Sequence, residues 1–336
     1  MTSRVQRPFR MFLGILALII LPVGLTLFTV EHPLKATPTS ENPTPHGYTW
    51  SLLIFVVPVV SLSWRFLTVW AGRLDRRAFI IAAGAFAVTG CLLDMTLGNF
   101  FFQFPNKGAV LGIYLPGYKP GGGWTRDLPV EEFLFYVFGN LFTLLVYLWG
   151  AHVWFSRYNH ESYLSLPDDT RKMFRLHWPS AVYAGVLIVV ALAVKKLLVP
   201  VEYRAGFPGY LIFEILVLFF PTFLLFHSVK SYINWRAMSL SVILMWLISV
   251  IWEVTLGVPY GWWGFNKDMM LGIFIRGWSD LPIEEPILWT LAPWVTAMLY
   301  EAVRLFVHSR NSARETLLGA RPPAATSVLR GPPDRP

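Results

Sequence analysis

Asp127-Leu128-Pro129-Val130-Glu131-Glu132 leads directly into an apolar stretch at 130–154, and the same string returns as Asp280-Leu281-Pro282-Ile283-Glu284-Glu285 ahead of a second apolar stretch at 283–306. A membrane helix needs about 20 predominantly apolar residues, and both stretches qualify. Working outward, six further segments meet the same requirement, at 11–30, 49–70, 78–98, 178–199, 209–229 and 237–257. Composition agrees. The 336 residues are 55% hydrophobic, 16% aromatic and only 14% charged, against about 25% charged in a soluble domain. The chain therefore reads as an all-α polytopic transmembrane helical bundle of about eight helices.

The first segment follows Arg4, Arg7 and Arg10 and has the outline of a signal peptide. Its apolar run exceeds the roughly 7–15 residues of a signal core, and no small-residue cleavage site follows, so it reads as a retained helix. The formal net charge of +8 is spread between the apolar spans rather than clustered, which favours a membrane surface over nucleic acid. With a cytoplasmic N-terminus, roughly two-thirds of the 28 Lys and Arg fall on the cytoplasmic side, as the positive-inside rule requires. The expectation is an integral protein of the cytoplasmic (inner) membrane with both termini in the cytoplasm. The Pro- and Arg-rich end, 309–336, reads as a disordered tail.

Self-similarity organises the whole chain. Gly47-Tyr48 and Pro58 recur as Gly209-Tyr210 and Pro221. Leu93-Asp94-Met95-Thr96-Leu97-Gly98 recurs as Trp252-Glu253-Val254-Thr255-Leu256-Gly257, and Leu111-Gly112-Ile113-Tyr114 as Leu271-Gly272-Ile273-Phe274. The Asp-Leu-Pro-x-Glu-Glu copies follow in the same order. The organisation expected is a first membrane repeat at 1–155, a cytoplasmic linker at 156–177, a second membrane repeat at 178–308, and the tail. An even number of spans per repeat makes the repeats parallel, with the pseudo-twofold axis along the membrane normal. Corresponding acids then lie at equal depth, near the non-cytoplasmic face.

Pro at a first helical position and Glu in the first turn make a good helix start, so one copy of the motif needs no function. Two adjacent glutamates, present twice, exceed what a cap requires. The preceding spans also end in acids, Asp94 and Glu253, beside Thr96 and Thr255. Ionisable residues at membrane depth are costly unless paired or functional. The nearby bases are few: Lys107, Lys119, Arg126, Lys267 and Arg276. Crowded carboxyls can divide into a protonated acid and an ionised base. The same loops carry Phe100, Phe101, Phe102, Phe104, Tyr114 and Trp124, then Tyr260, Trp262, Trp263, Phe265, Phe274 and Trp278. Most of these read as an interfacial aromatic belt. Trp262-Trp263 is denser than a belt needs, and aromatic faces stabilise cations.

Other chemistries find no motif. The sequence carries no dinucleotide or phosphate loop, no zinc-protease motif and no Asp-rich diphosphate site. The seven His are scattered, His152 and His227 falling at cytoplasmic helix ends, and Cys91 sits alone in an apolar run. No metal site and no cofactor is expected. Glu214 lies inside an apolar span without a counterpart in the first repeat and is a secondary polar candidate.

Two membrane repeats, each with an acid late in one helix, an aromatic and glycine-rich loop, Leu-Gly, then Pro-x-Glu-Glu opening the next helix, resemble the integral-membrane lycopene cyclases. That family occurs as heterodimers of two small subunits in some bacteria and as fused chains in archaea and fungi. The resemblance covers roughly 48–155 and 209–305, as a fused pair without an attached phytoene synthase. It implies a lycopene β-cyclase, an isomerase of carotenoid biosynthesis without net redox change. Glu131, Glu132, Glu284 and Glu285 would then be the essential carboxylates, with Asp94 and Glu253 beneath them. Trp124, Trp262, Trp263 and Trp278 would stabilise the cation. It also implies a hydrophobic carotenoid substrate entering from membrane lipid, and Glu→Gln at 131 or 284 is predicted to abolish product. The chain departs from the family in its fourth span per half, in the Lys119-Pro120-Gly121-Gly122-Gly123 insertion, and in Pro286, which predicts a later helix start in the second copy. Another membrane isoprenoid enzyme, or a proton-coupled transport or binding protein, remains open, as do ring type and oligomeric state.

Overall fold

The computed structural model describes residues 44–69, 74–159 and 176–309, with isolated positions 17 and 21. The span expected at 11–30, the middle of the 156–177 linker and the tail beyond 309 lie outside the described residues. The rest is mostly helical: α1 (Gly47–Val69), α2 (Arg76–Phe101), α3 (Val130–Trp154), α4 (Ser180–Leu198), α5 (Gly209–Val229) and α6 (Trp235–Gly257), all six long and apolar enough to cross a membrane. A seventh, α7 (Glu284–Ser309), is 26 residues long and includes Glu284, Glu285, Glu301 and Arg304.

Matching caps start matching helices. The Asp75 side chain accepts a hydrogen bond from the Ala78 N–H of α2 at 3.0 Å. Asn234 does the same for Ala237 of α6 at 3.1 Å. Each satisfies one of the N–H groups that a helix start leaves without an intrahelical partner. Pro286 falls in the first turn of α7, where its missing N–H costs little. Both glutamates of each motif stay in the first turn, of α3 and of α7.

One apolar core runs through both repeats, from Tyr48, Val59 and Phe66 of α1 through Leu144 and Trp149 of α3 and Ile248 of α6 to Met298 and Leu305 of α7. Outward faces stay apolar too. Trp50, Val57 and Trp64 of α1 and Val182, Val186 and Val189 of α4 are exposed, as lipid-facing helices require.

The loops contain short strands, which apolar periodicity does not reveal. β1 (Phe102–Gln103) pairs antiparallel with β4 (Gly264–Phe265), joining one repeat to the other. Beside it Asn106 donates its N–H to Gly261 O (3.0 Å) and its Nδ2 to Tyr260 O (3.0 Å). Reciprocally, Asn266 donates its N–H to Phe101 O (2.8 Å) and its Nδ2 to Phe100 O (3.0 Å). Each repeat's loop is thus held by the other's backbone. β2 (Tyr114–Lys119) and β3 (Gly123–Pro129) form a hairpin, and β5 (Phe274–Ile275) with β6 (Leu281–Pro282) a shorter one. The Lys119–Gly123 insertion is the tip of the longer hairpin, where Gly121 (φ +74°) and Gly123 (φ +79°) take conformations that L side chains rarely adopt. Lys119 pairs with Asp127 across that tip. Burial alone would raise the Asp127 carboxyl, but bonds from Lys119, Asn99 and Thr125 outweigh it and hold the group below its ordinary range.

These loops change the reading of the aromatics. Phe101, Tyr260, Trp262 and Trp263 are buried rather than arrayed as a belt, because the interlocked loops fold back over the helix ends. Trp124, 60% exposed, fits the belt.

Candidate active site

The two glutamates of each pair point to different tasks. Glu131 Oε1 accepts the Leu111 N–H at 2.7 Å and the Thr49 hydroxyl. Glu284 Oε1 accepts the Leu271 N–H at 2.5 Å. Alongside, the N–H of Val130 donates to Ile113 O (2.9 Å) and that of Ile283 to Ile273 O (3.0 Å). The first glutamate therefore staples the Leu-Gly loop to the helix start, and Gly112 (φ +85°) and Gly272 (φ +99°) allow the turn that brings the loop there. The second glutamate accepts from a tyrosine at the start of another helix: Tyr48 Oη to Glu132 Oε1 at 2.7 Å, and Tyr210 Oη to Glu285 Oε1 at 3.0 Å. The repeat landmarks Gly-Tyr, Leu-Gly and Pro-x-Glu-Glu are thus parts of one local structure.

Asp94 and Glu253 both sit where the helix widens into π-turns, Asp94–Gly98 in α2 and Val250–Gly257 in α6. Such an insertion re-aims a side chain and is common at functional sites. Glu253 Oε1 accepts from Trp289 Nε1 at 2.8 Å, and its carboxyl lies close enough to that of Glu285 for the two to interact electrostatically. Like charges crowded in a poorly solvated place favour one carboxyl keeping its proton. Asp94 is buried, and neither of its oxygens has a hydrogen-bond partner among the described residues. It interacts electrostatically with Glu132. Thr96 and Thr255 bond backbone carbonyls of their own helices and do not contact these acids.

Glu132, Glu253 and Glu285 line one cavity of about 300 Å³, with Tyr48, Tyr136, Tyr210, Trp263 and Trp289 around them. Thr89, Asn140 and Thr143 add polar groups, and the remainder of the wall is apolar, including Phe86 of α2, Phe135 of α3, Leu218 of α5, Met245 of α6 and Leu299 of α7. Along α7 the lining runs from Glu285 to Leu299, about 20 Å at about 1.5 Å rise per residue. The cavity is a slot parallel to the helices, mostly apolar along its length and acidic at one end.

Among the tryptophans, Trp263 lines the slot. Trp262 lies behind it, fully buried, stacked on Tyr48 (centroids 6.2 Å apart) and bonded through Nε1 to Thr44 Oγ1 at 2.9 Å. Trp278 stacks on Trp289 at 6.2 Å, one ring removed from the slot. Trp124 packs on Tyr118 at the exposed hairpin, away from the acids. Of the bases expected near the acids, Lys119 pairs with Asp127 and Lys267 covers the Phe274 ring at 5.5 Å. Lys107, Arg126 and Arg276 are exposed. One cation that does reach inside is Lys195, fully buried, whose Nζ donates to Met270 O at 2.7 Å and which interacts with Glu284. Glu214 is buried without a hydrogen-bond partner among the described residues and lies close enough to Glu285 and Glu284 to feel their charge.

Sequence reasoning missed Tyr136 and Lys195 and left Tyr48 and Tyr210 as landmarks only. Tyr136 had a signal: it lies four residues after Glu132, on the same helix face, as Trp289 does after Glu285. Among the described residues no group of three or more His, Cys, Asp or Glu is arranged to hold a metal ion. Comparison of the chain with protein-family models, with curated proteins and with solved structures finds no match.

Proposed function

We propose that this chain is a membrane enzyme of the lycopene-cyclase type, closing the acyclic end group of a carotenoid to a β-ionone ring. The observation that carries this reading is the set of carboxyls, oriented by tyrosine and tryptophan donors, at one end of an apolar slot. A long hydrocarbon fits the slot's shape, and a reaction begun and ended by proton transfer fits the carboxyls that line it. A carboxyl protonates the terminal alkene, the tertiary cation is captured by the C5–C6 double bond, and a carboxylate removes a proton. No electrons are gained or lost. Trp263 and Tyr136 present aromatic surface to the cation, and the dry walls strengthen every charge interaction inside.

The architecture that goes with this reading is two parallel four-helix repeats, the first completed by a helix at 11–30, in the inner membrane with both termini cytoplasmic. The unpartnered buried carboxyls of Asp94 and Glu214 favour one competitor, a proton-coupled carrier. The test is expression in bacteria engineered to accumulate lycopene, followed by pigment analysis. Cyclic carotenoid is expected; unchanged lycopene, with the protein present in the membrane, refutes the proposal.

A further inference from the structure

A duplicated motif naturally suggests two equivalent sites, one for each end of a two-ended polyene. The geometry points elsewhere. The acids of both repeats open on one cavity: Tyr48, Glu132 and Tyr136 from the first, Tyr210, Glu253 and Glu285 from the second. Its volume of about 300 Å³ is at the lower end of ligand pockets, roughly 300–1,000 Å³, which is room for one end group and not two. The β1–β4 pairing and the reciprocal asparagine bonds lock the two loops together beside it.

The two copies also differ where it matters. In the second, two carboxyls, Glu285 and Glu253, line the slot, held by Tyr210 and Trp289, and carboxyls crowded in one cavity keep a proton between them. In the first, the position of Glu253 is taken by Asp94, a methylene shorter, with no hydrogen-bond partner among the described residues and no place in the slot wall. Glu132 is the one carboxyl that the first repeat places on the slot wall, oriented by Tyr48. Tyr136 replaces Trp289 and lies among all four acids, Asp94, Glu132, Glu285 and Glu253.

We infer that the two repeats build a single cyclisation site between them, the Glu285–Glu253 pair delivering the proton and Glu132 withdrawing one. This rests on the cyclase reading above. The carboxyl O–H of the pair breaks as a C–H bond forms at C2 of the terminal isopropylidene group, leaving the cation at C1. The C5–C6 π electrons form the C1–C6 bond and move the cation to C5. Glu132 removes the proton from C6, and that electron pair restores the C5–C6 double bond. One proton enters and one leaves, so each ring closure is an isomerisation. Tyr136, between the acids, is placed to return the proton from Glu132 to the pair.

The experiment uses the full chain in liposomes loaded with lycopene, in D2O, with the wild type beside Glu132→Gln, Glu253→Gln and Glu285→Gln. With one shared site, Glu132→Gln and Glu285→Gln each lower total ring formation by about 100-fold or more, the usual weight of an acid or base. With two independent sites, no change confined to one repeat lowers it more than about twofold. Retention of half the wild-type rate by either variant therefore overturns the inference. Deuterium separates the roles. Glu132→Gln still protonates and releases, so it washes deuterium into the terminal isopropylidene group of recovered lycopene, whereas Glu285→Gln does not. The reverse pattern overturns the assignment of acid and base. If the glutamine variants fail to fold, Tyr48→Phe and Tyr210→Phe make the same twofold comparison by removing one hydroxyl each. A wild type that closes no ring sinks the cyclase reading itself, and is thereby distinguished from failure of the shared-site inference.

Discussion

Replacing Glu131 and Glu132 one at a time by glutamine separates scaffold from chemistry within a single dipeptide. Glu131 Oε1 accepts the Leu111 N–H at 2.7 Å and the Thr49 hydroxyl. A hydrogen bond to a charged group contributes about 1.5–3 kcal/mol and a neutral one about 0.5–1.5. A glutamine oxygen can still accept both, so Glu131→Gln should cost about 1–3 kcal/mol. Glu131→Ala leaves a main-chain N–H unsatisfied as well, and about 3–5 kcal/mol is expected. Glu132 has one donor, Tyr48, and otherwise faces the slot. Glu132→Gln keeps the acceptor and removes a buried acid, so stability should change by under about 1 kcal/mol while turnover falls by about 100-fold or more. Thermal unfolding of the purified protein in detergent, read beside the initial rate of ring formation, gives both axes. Glu131→Gln should move mainly the first and Glu132→Gln mainly the second. An inactive, fully stable Glu131→Gln protein together with an active Glu132→Gln protein would refute the division, and would return the chemistry to the residue that sequence alone favoured.

A Cβ on Gly257 would stand 2.2 Å from the Trp263 ring, so Gly257→Ala should push that ring into the slot. A raised KM and altered tryptophan emission are expected, and unchanged kinetics would show that Trp263 does not contact substrate. The Asp127 carboxyl is held below its ordinary range by Lys119, Asn99 and Thr125. A depressed folded value means that its contribution is complete above the unfolded value of about 3.9 and is lost as pH falls through the folded one. Trp124 emission should therefore report loosening of the hairpin only below about pH 4 in the wild type, and at every pH in Asp127→Asn. Asn106→Ala and Asn266→Ala each remove a side-chain bond to the other repeat's backbone. Each should cost about 1–2 kcal/mol in unfolding experiments; a loss at only one of the two positions would contradict the reciprocal clasp.

The helical framework was legible because hydrocarbon burial writes itself into long apolar runs. α1 through α6 fall on six of the expected spans and the helix α7 on the segment 283–306, with ends displaced by a few residues where caps such as Asp75 and Asn234 set them. The strands were not legible. β1 and β4 are two residues each, and nothing local in Phe102-Gln103 says that its partner is Gly264-Phe265 in the other repeat. The burial of Trp262 and Tyr260 follows from that pairing, which is why a belt was the natural reading of the loop aromatics. Asn106-Lys107 and Asn266-Lys267 did stand at the same distance before Leu-Gly in both copies, a repeat landmark that could have pointed to the clasp.

For the site, the motif identified which residues correspond, and the structure shows that correspondence is weaker than equivalence. What an acid does depends on its surroundings, and these come from positions where the copies differ. Thr49 reaches Glu131, whereas the matching position beside Glu284 is Leu211. Leu52 is buried in α1 where α5 carries the unpartnered Glu214. Tyr136 stands where Trp289 bonds Glu253, and Asp94, outside the slot wall, where Glu253 lines it. Each difference is one side chain, and each alters the donors or the charges around a glutamate. Changes of that size leave the Pro-x-Glu-Glu string and the helix starts intact. They are nonetheless enough to turn two copies of one scaffold into the unlike walls of a single slot, because a wall that bears two carboxyls and a wall that bears one differ in chemistry even where the helix starts correspond.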